Sequence, residues 1–160
     1  MITQERLQEL FDYKDGVLSW RIKPARRILV GQVAGHIRSD GYATTTVDSK
    51  KYLNHRLIFL MHNGYSPECI DHIDGNPLNN RIENLRDATF SQNLQNSKTY
   101  TTNKSGVKGV NWNKQHNKWQ ALIQTGGKAK HIGYFKELDA ATDAVKSARL
   151  NLHKEYANHG

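Results

Sequence analysis

The chain has a single cysteine, Cys69, which excludes an intrachain disulfide and any cysteine-rich zinc site. It has no apolar segment long enough for a signal peptide or a membrane span; the run Leu57-Ile58-Phe59-Leu60-Met61 suits a short buried helix instead. A cytoplasmic location, in whichever cell makes the protein, is therefore expected. Carboxylates are missing altogether from Ala88 to Lys136, while Lys98, Lys104, Lys108, Lys114, Lys118, Lys128, Lys130 and Lys136 all fall in that stretch. Such a one-signed segment is the electrostatic footprint of a polyanion partner. No heptad or self-complementary surface stands out, so a monomer and a homodimer both remain open.

What is present agrees with a nucleic-acid partner. The 23 Lys and Arg outnumber the 15 Asp and Glu, giving a formal charge of +8 and a pI near 9.6. A second basic cluster, Arg21, Lys23, Arg26 and Arg27, lies in a loop around Pro24 and reads either as a phosphate clamp or as an ordinary solvated loop. At 160 residues with 9% aromatics, the chain suits one domain or two with modest cores.

The most informative window runs from Asp71 to Asn93, DHIDGNPLNNRIENLRDATFSQN. A short strand through Cys69-Ile70 leads into Asp71-His72-Ile73. The turn formers Asp74-Gly75-Asn76-Pro77 and Asn79-Asn80 then reverse the chain. A second strand is expected from Ile82 to Leu85. Thr89 or Ser91 caps a following helix, which carries Asn93 and Asn96 on one side. Upstream, Ile2 to Phe11 predicts a helix capped by Thr3, and Gly16 to Trp20 a strand. Gly31 to Gly35 and Tyr42 to Val47 add strand candidates around the Asp40-Gly41 turn.

From about Lys51 to Asn96, including Asn54-His55-Arg56-Leu57 and the Gly64 turn, these residues resemble the HNH endonuclease family, whose ββα-metal motif holds one divalent cation against the scissile phosphate. The resemblance implies that Asp71 is a metal ligand, His72 the general base, Asn84 the residue that fixes the hairpin and the imidazole, and Asn93 the second ligand, with Asn96 as the alternative. Phosphodiester hydrolysis requires such types: an imidazole to deprotonate water near neutral pH, and a cation to stabilise charge on the phosphorane. An amide where many family members have histidine makes the ligands all oxygen, which favours Mg²⁺, or Mn²⁺, over zinc or nickel. His55 and Arg56 are either structural groups at a helix start or phosphate contacts. Asp74, Gly75 and Asn79 are assigned to turn geometry, and Glu83 and Asp87 to solvent.

Further on, Val107 to Asn113, Lys118 to Thr125 and Lys130 to Phe135 read as strands, the last two joined at Gly126-Gly127. Alternation puts Trp119, Ala121 and Ile123 on one face, and Lys118, Gln120, Leu122 and Gln124 on the other. Leu138, Ala141, Ala144, Val145, Ala148 and Leu152 then recur at helical spacing. Ser105-Gly106-Val107-Lys108-Gly109-Val110, Lys118-Trp119, Ile132-Gly133-Tyr134-Phe135 and the alanine-rich helix resemble the Apetala-two type of DNA-binding domain found in plant ethylene-response factors. That resemblance implies a sheet in the major groove. Its DNA-facing candidates are Lys108, Asn111, Asn113, Lys114, Lys118, Gln120, Gln124, Lys128, Lys130 and His131, in which lysines and amides replace the plant arginines.

The expected fold is α+β. It comprises a β-rich lead-in with a ββα-metal nuclease core over 1–97, a linker over 98–105, and a three-stranded antiparallel sheet packed on one helix over 106–160. The expected function is metal-dependent endonucleolytic cleavage of double-stranded DNA by a phage-encoded or homing-type enzyme. A DNA-binding regulator with a vestigial motif is the alternative, and a nonspecific colicin-type toxin a third.

Overall fold

The computed structural model describes residues 2–97, 103–153 and 156–157. The expected linker lies largely outside the described residues. Contacts between residues group the chain into two units, Met1–Ala88 and Thr89–Gly160.

The first unit opens with α1 (Gln4–Leu10), capped by the Thr3 hydroxyl, which accepts from Arg6 N at 3.3 Å. The hairpin β1 (Phe11–Lys14) and β2 (Val17–Trp20) follows. Its two-residue turn, Asp15-Gly16, has φ of 50° and 86°, the left-handed pair that matches strand twist. A three-stranded sheet comes next, β3 (His36–Ile37), β4 (Ala43–Val47) and β5 (Lys50–Leu53), in that spatial order. The strand expected at Gly31 to Gly35 is not formed. Only Val33 bridges Ser19 there, and the strand begins at His36. Helix α2 (Asn54–Asn63) ends at Gly64, whose φ of 75° supplies the left-handed cap.

The ββ hairpin consists of β6 (Cys69–His72) and β7 (Leu85–Ala88), antiparallel with Asp71 opposite Arg86 and His72 opposite Leu85. The second strand thus starts later than its expected Ile82. Residues Ile82–Asn84 form a single 3-10 turn that brings the chain back to the register of β7. The unit's core joins Leu7, Leu10, Phe11, Leu18, Trp20, Leu57, Ile58 and Phe59 with Ile70 and Leu85 of the hairpin.

The second unit begins with α3 (Phe90–Asn96), held by a capping box in which Thr89 and Gln92 satisfy each other's backbone amides. Strands β8 (Val110–Asn113), β9 (Lys118–Thr125) and β10 (Lys128–Phe135) form an antiparallel sheet with β9 in the middle, and α4 (Leu138–His153) packs on it. The buried stripe of α4 is Ala141, Val145, Arg149 and His153, spaced four apart, while Leu152 is exposed. Arg149 and His153 therefore continue the stripe that Leu152 was expected to close.

Candidate active site

Asp71 and His72 are buried at the end of β6, where the strand feeds the loop that returns at the 3-10 turn. The hairpin register sets Arg86 across from Asp71, and its guanidinium reaches Asp71 Oδ2 at 2.8 Å from Nε and 2.7 Å from Nη2. With only 3% of the Asp71 side chain and 16% of that of Arg86 exposed, this is a buried pair. Removing either partner strands a charge and costs about 3–5 kcal/mol.

The imidazole of His72 is held by Asn80. His72 Nε2 and Asn80 Oδ1 are 2.9 Å apart in a buried contact. An amide oxygen only accepts, so Nε2 is the donor in this contact. Asn84 was expected to fix both the hairpin and the imidazole, and it does only the first. Its amide donates to Asp74 Oδ1 at 3.0 Å and to Asn79 O at 2.7 Å, and its oxygen accepts from Asp74 N at 3.1 Å. The correction follows from the 3-10 turn, which aims Asn84 into the loop and not at the ring.

Asp74 organises the same loop, accepting from Asn76 N at 2.8 Å and Asn79 Nδ2 at 2.6 Å. Burial pushes its carboxyl up, but the hydrogen bonds from Asn79, Asn76 and Asn84 outweigh burial and hold it below the usual range. The lead-in hairpin braces the loop from outside. Tyr13 Oη accepts from Ile82 N at 2.9 Å. A Cβ on Gly16 would stand 2.7 Å from Arg81 N, so the hairpin tip lies directly on the backbone that follows Asn80.

His55, at the start of α2, packs edge-on against His72 with ring centroids 5.0 Å apart, and Tyr42 lies 5.5 Å from His55 and 6.1 Å from His72. Burial, helped by the neighbouring His72 and Arg56, pushes His55 down to about 3, so it stands neutral beside His72. Arg56, a second phosphate candidate, is committed elsewhere: its guanidinium donates to Pro67 O at 2.7 Å, Ser66 Oγ at 2.8 Å and Glu68 O at 3.3 Å. It fixes the loop that leads into β6, which is the structural one of its two expected readings.

Asn93 and Asn96 both lie on α3, Asn93 exposed and Asn96 buried. Among the described residues no group of three His, Cys, Asp or Glu gathers to hold a metal. The Asp71 carboxylate is an oxygen donor of the type that suits a hard cation completing its shell with water and phosphate.

On the sheet, Asn111, Asn113, Lys118, Gln120, Gln124 and His131 share the face that turns away from α4, as cross-strand pairing fixes. Lys114 lies in the β8–β9 turn. Lys128 and Lys130 pair with Thr125 and Ile123 and so belong to the opposite face. Trp112 pairs with Trp119 on that same face, edge to face at 5.1 Å, and is 45% exposed. Lys108 is turned inward: its ammonium donates to Leu94 O at 3.3 Å, Gln95 O at 2.8 Å and Ser97 O, the last carbonyls of α3 and its cap. Burial, with Arg149 nearby, pushes it down to about 8.

Sequence reasoning did not single out Asn80, Arg86 or Tyr42. Nothing local marks Asn80 off from Asn79, since both are turn formers. Arg86 is identified as the partner of Asp71 only by the register of β6 on β7.

Comparison with known proteins gives a concordant picture. The family described as HNH endonuclease matches residues 52–95. "Protein 3.8" of Escherichia phage T7 is 39% identical over 88 residues, spanning 55% of this chain and 72% of that protein. "Uncharacterized HNH endonuclease L560" of Acanthamoeba polyphaga mimivirus is 39% identical over 132 residues, spanning 81% of this chain and 67% of that protein. No solved structure matches significantly.

Proposed function

Because this chain belongs to the HNH endonuclease family and is therefore a nuclease, we propose that it hydrolyses phosphodiester bonds in duplex DNA in a reaction that depends on Mg²⁺ or Mn²⁺. The observation that carries this reading is the buried 2.9 Å contact between His72 Nε2 and Asn80 Oδ1, which orients the imidazole one residue from a buried carboxylate.

The chemistry runs as follows. His72 Nδ1 takes the proton of the attacking water, and Asn80 keeps the ring in one tautomer and steadies the imidazolium that forms. His55, held neutral by burial, adds no positive charge to oppose that protonation. Water attacks phosphorus in line with the departing 3′ oxygen, which leaves 5′-phosphate and 3′-hydroxyl ends. A bound divalent cation supplies stabilisation of charge on the phosphorane and the leaving oxygen. Asp71 would hold it through a carboxylate oxygen and Asn93 through its amide; Asn93 is preferred to Asn96 on motif spacing and because Asn96 is buried. Asn84 and Asp74 fix the loop between base and second strand.

The polar face of the C-terminal sheet, with Asn111, Asn113, Lys118, Gln120, Gln124 and His131, is proposed as the DNA-docking surface, as in Apetala-two domains. Lys114, in the β8–β9 turn, adds a phosphate contact. The viral relatives support a virus-encoded enzyme that works in the host cell. Nicking of supercoiled plasmid with and without chelator is the test. Nicking that requires added Mg²⁺ or Mn²⁺ is expected, and none on any duplex would refute the reading.

A further inference from the structure

Lys108 lies in the part of the chain where excess positive charge points to phosphate binding, yet its ammonium is spent on α3. It reaches Leu94 O, Gln95 O and Ser97 O, and Ser97 Oγ at 3.3 Å. The last carbonyls of a helix have no partner within it and carry partial negative charge, so a lysine there satisfies and neutralises them together. The capping box at Thr89 already closes the other end. A helix as short as Phe90–Asn96 is marginal by itself and needs both closures.

The backbone of Lys108 is itself pinned. Arg149, buried on α4, donates from Nη2 to Lys108 O at 2.6 Å. The next residue, Gly109, has φ of 83°, and a Cβ there would stand 2.4 Å from Leu122 O of β9, so only glycine allows this approach. Leu122 N in turn donates to Gly109 O at 2.8 Å. From α4 through Arg149, and from β9 through Gly109, the C-terminal sheet and helix thus fix the lysine that closes α3.

We infer that Lys108 is a positioning residue: through it the C-terminal sheet and α4 hold α3, and with it Asn93, the amide proposed above as a metal ligand. The consequence for the metal rests on the proposed ligand role of Asn93, whereas the clamp on α3 does not. A phosphate contact and a helix clamp answer differently to the same substitution.

The test compares the full-length protein with Lys108→Met, Lys108→Arg and Asn93→Ala. It reads amide hydrogen exchange across 90–97, Mn²⁺ binding without DNA by electron paramagnetic resonance, and the salt dependence of binding to a mixed-sequence duplex. Lys108→Met should speed exchange across α3 by about tenfold and weaken Mn²⁺ binding several-fold while leaving the salt slope unchanged. Lys108→Arg, which keeps the charge and the reach, should recover most of the protection. Equal protection of α3 in all the Lys108 proteins overturns the clamp, and a salt slope reduced by about one with α3 unaltered assigns Lys108 to phosphate. If Lys108→Met loosens α3 while Asn93→Ala leaves Mn²⁺ binding intact, the clamp stands and the ligand role of Asn93 falls.

Discussion

The two units are stabilised by different means. The first buries large aliphatic and aromatic side chains, Leu7, Leu10, Phe11, Leu18, Leu57 and Ile58 among them, and sets its polar groups Asp71, His72 and Asn80 against that mass. The second has a core of Val110, Ala121, Ala141 and Val145, and compensates with buried polar ties: Arg149 to Lys108 O, His153 Nε2 to Gln124 O at 2.8 Å, and Lys108 to α3. Small residues let α4 lie close on its sheet but bury little area, so directional hydrogen bonds carry a larger share of its definition. Helix α3, in the second unit, is accordingly held by polar contacts at both ends.

Substitutions can break this contrast. Ile58→Ala, at a site with no exposure, should cost about 2–5 kcal/mol, read by chemical denaturation. Asn80→Ala should cost about 1–3 kcal/mol by stranding the His72 N–H, and should lower the cleavage rate more than the affinity for DNA. Val145→Ala, the second unit's counterpart to Ile58→Ala, removes less buried surface and should cost only about 1.6 kcal/mol. If the two core truncations cost the same, the contrast between packed and tied units fails.

A further effect is pH-dependent. His55 titrates near 3 in the folded chain, against an ordinary 6.5. Between these values the unfolded chain takes up a proton that the folded chain refuses, so stability falls as pH drops through that window. His55→Gln should flatten the decline between pH 6.5 and 3 relative to the unaltered protein, measured as midpoint denaturant concentration against pH.

Much of the architecture is legible because it depends on local pattern. Alternation in Lys118–Thr125, glycines at Gly126-Gly127 and Gly64, and the Thr89 cap each specify an element with nothing distant to consult. Asp71 and His72 stand out from their family pattern. What stays hidden depends on register and on loop return: Asn80 faces the imidazole only because the 3-10 turn folds the loop back, and Arg86 meets Asp71 only through the β6–β7 pairing. Charge misleads at Lys108, since a cation in a basic segment serves backbone carbonyls as readily as phosphates. The segment expected as a strand at Gly31 to Gly35 instead lies along β2 through a single bridge and a few backbone hydrogen bonds, and β4 pairs with His36–Ile37.

Single-turnover nicking of plasmid DNA by His72→Ala, with duplex affinity measured alongside, tests the central claim most directly. A rate lower by about 10²- to 10⁴-fold with affinity nearly unchanged is predicted for loss of a general base. Cutting at close to the original rate by the purified variant would contradict it.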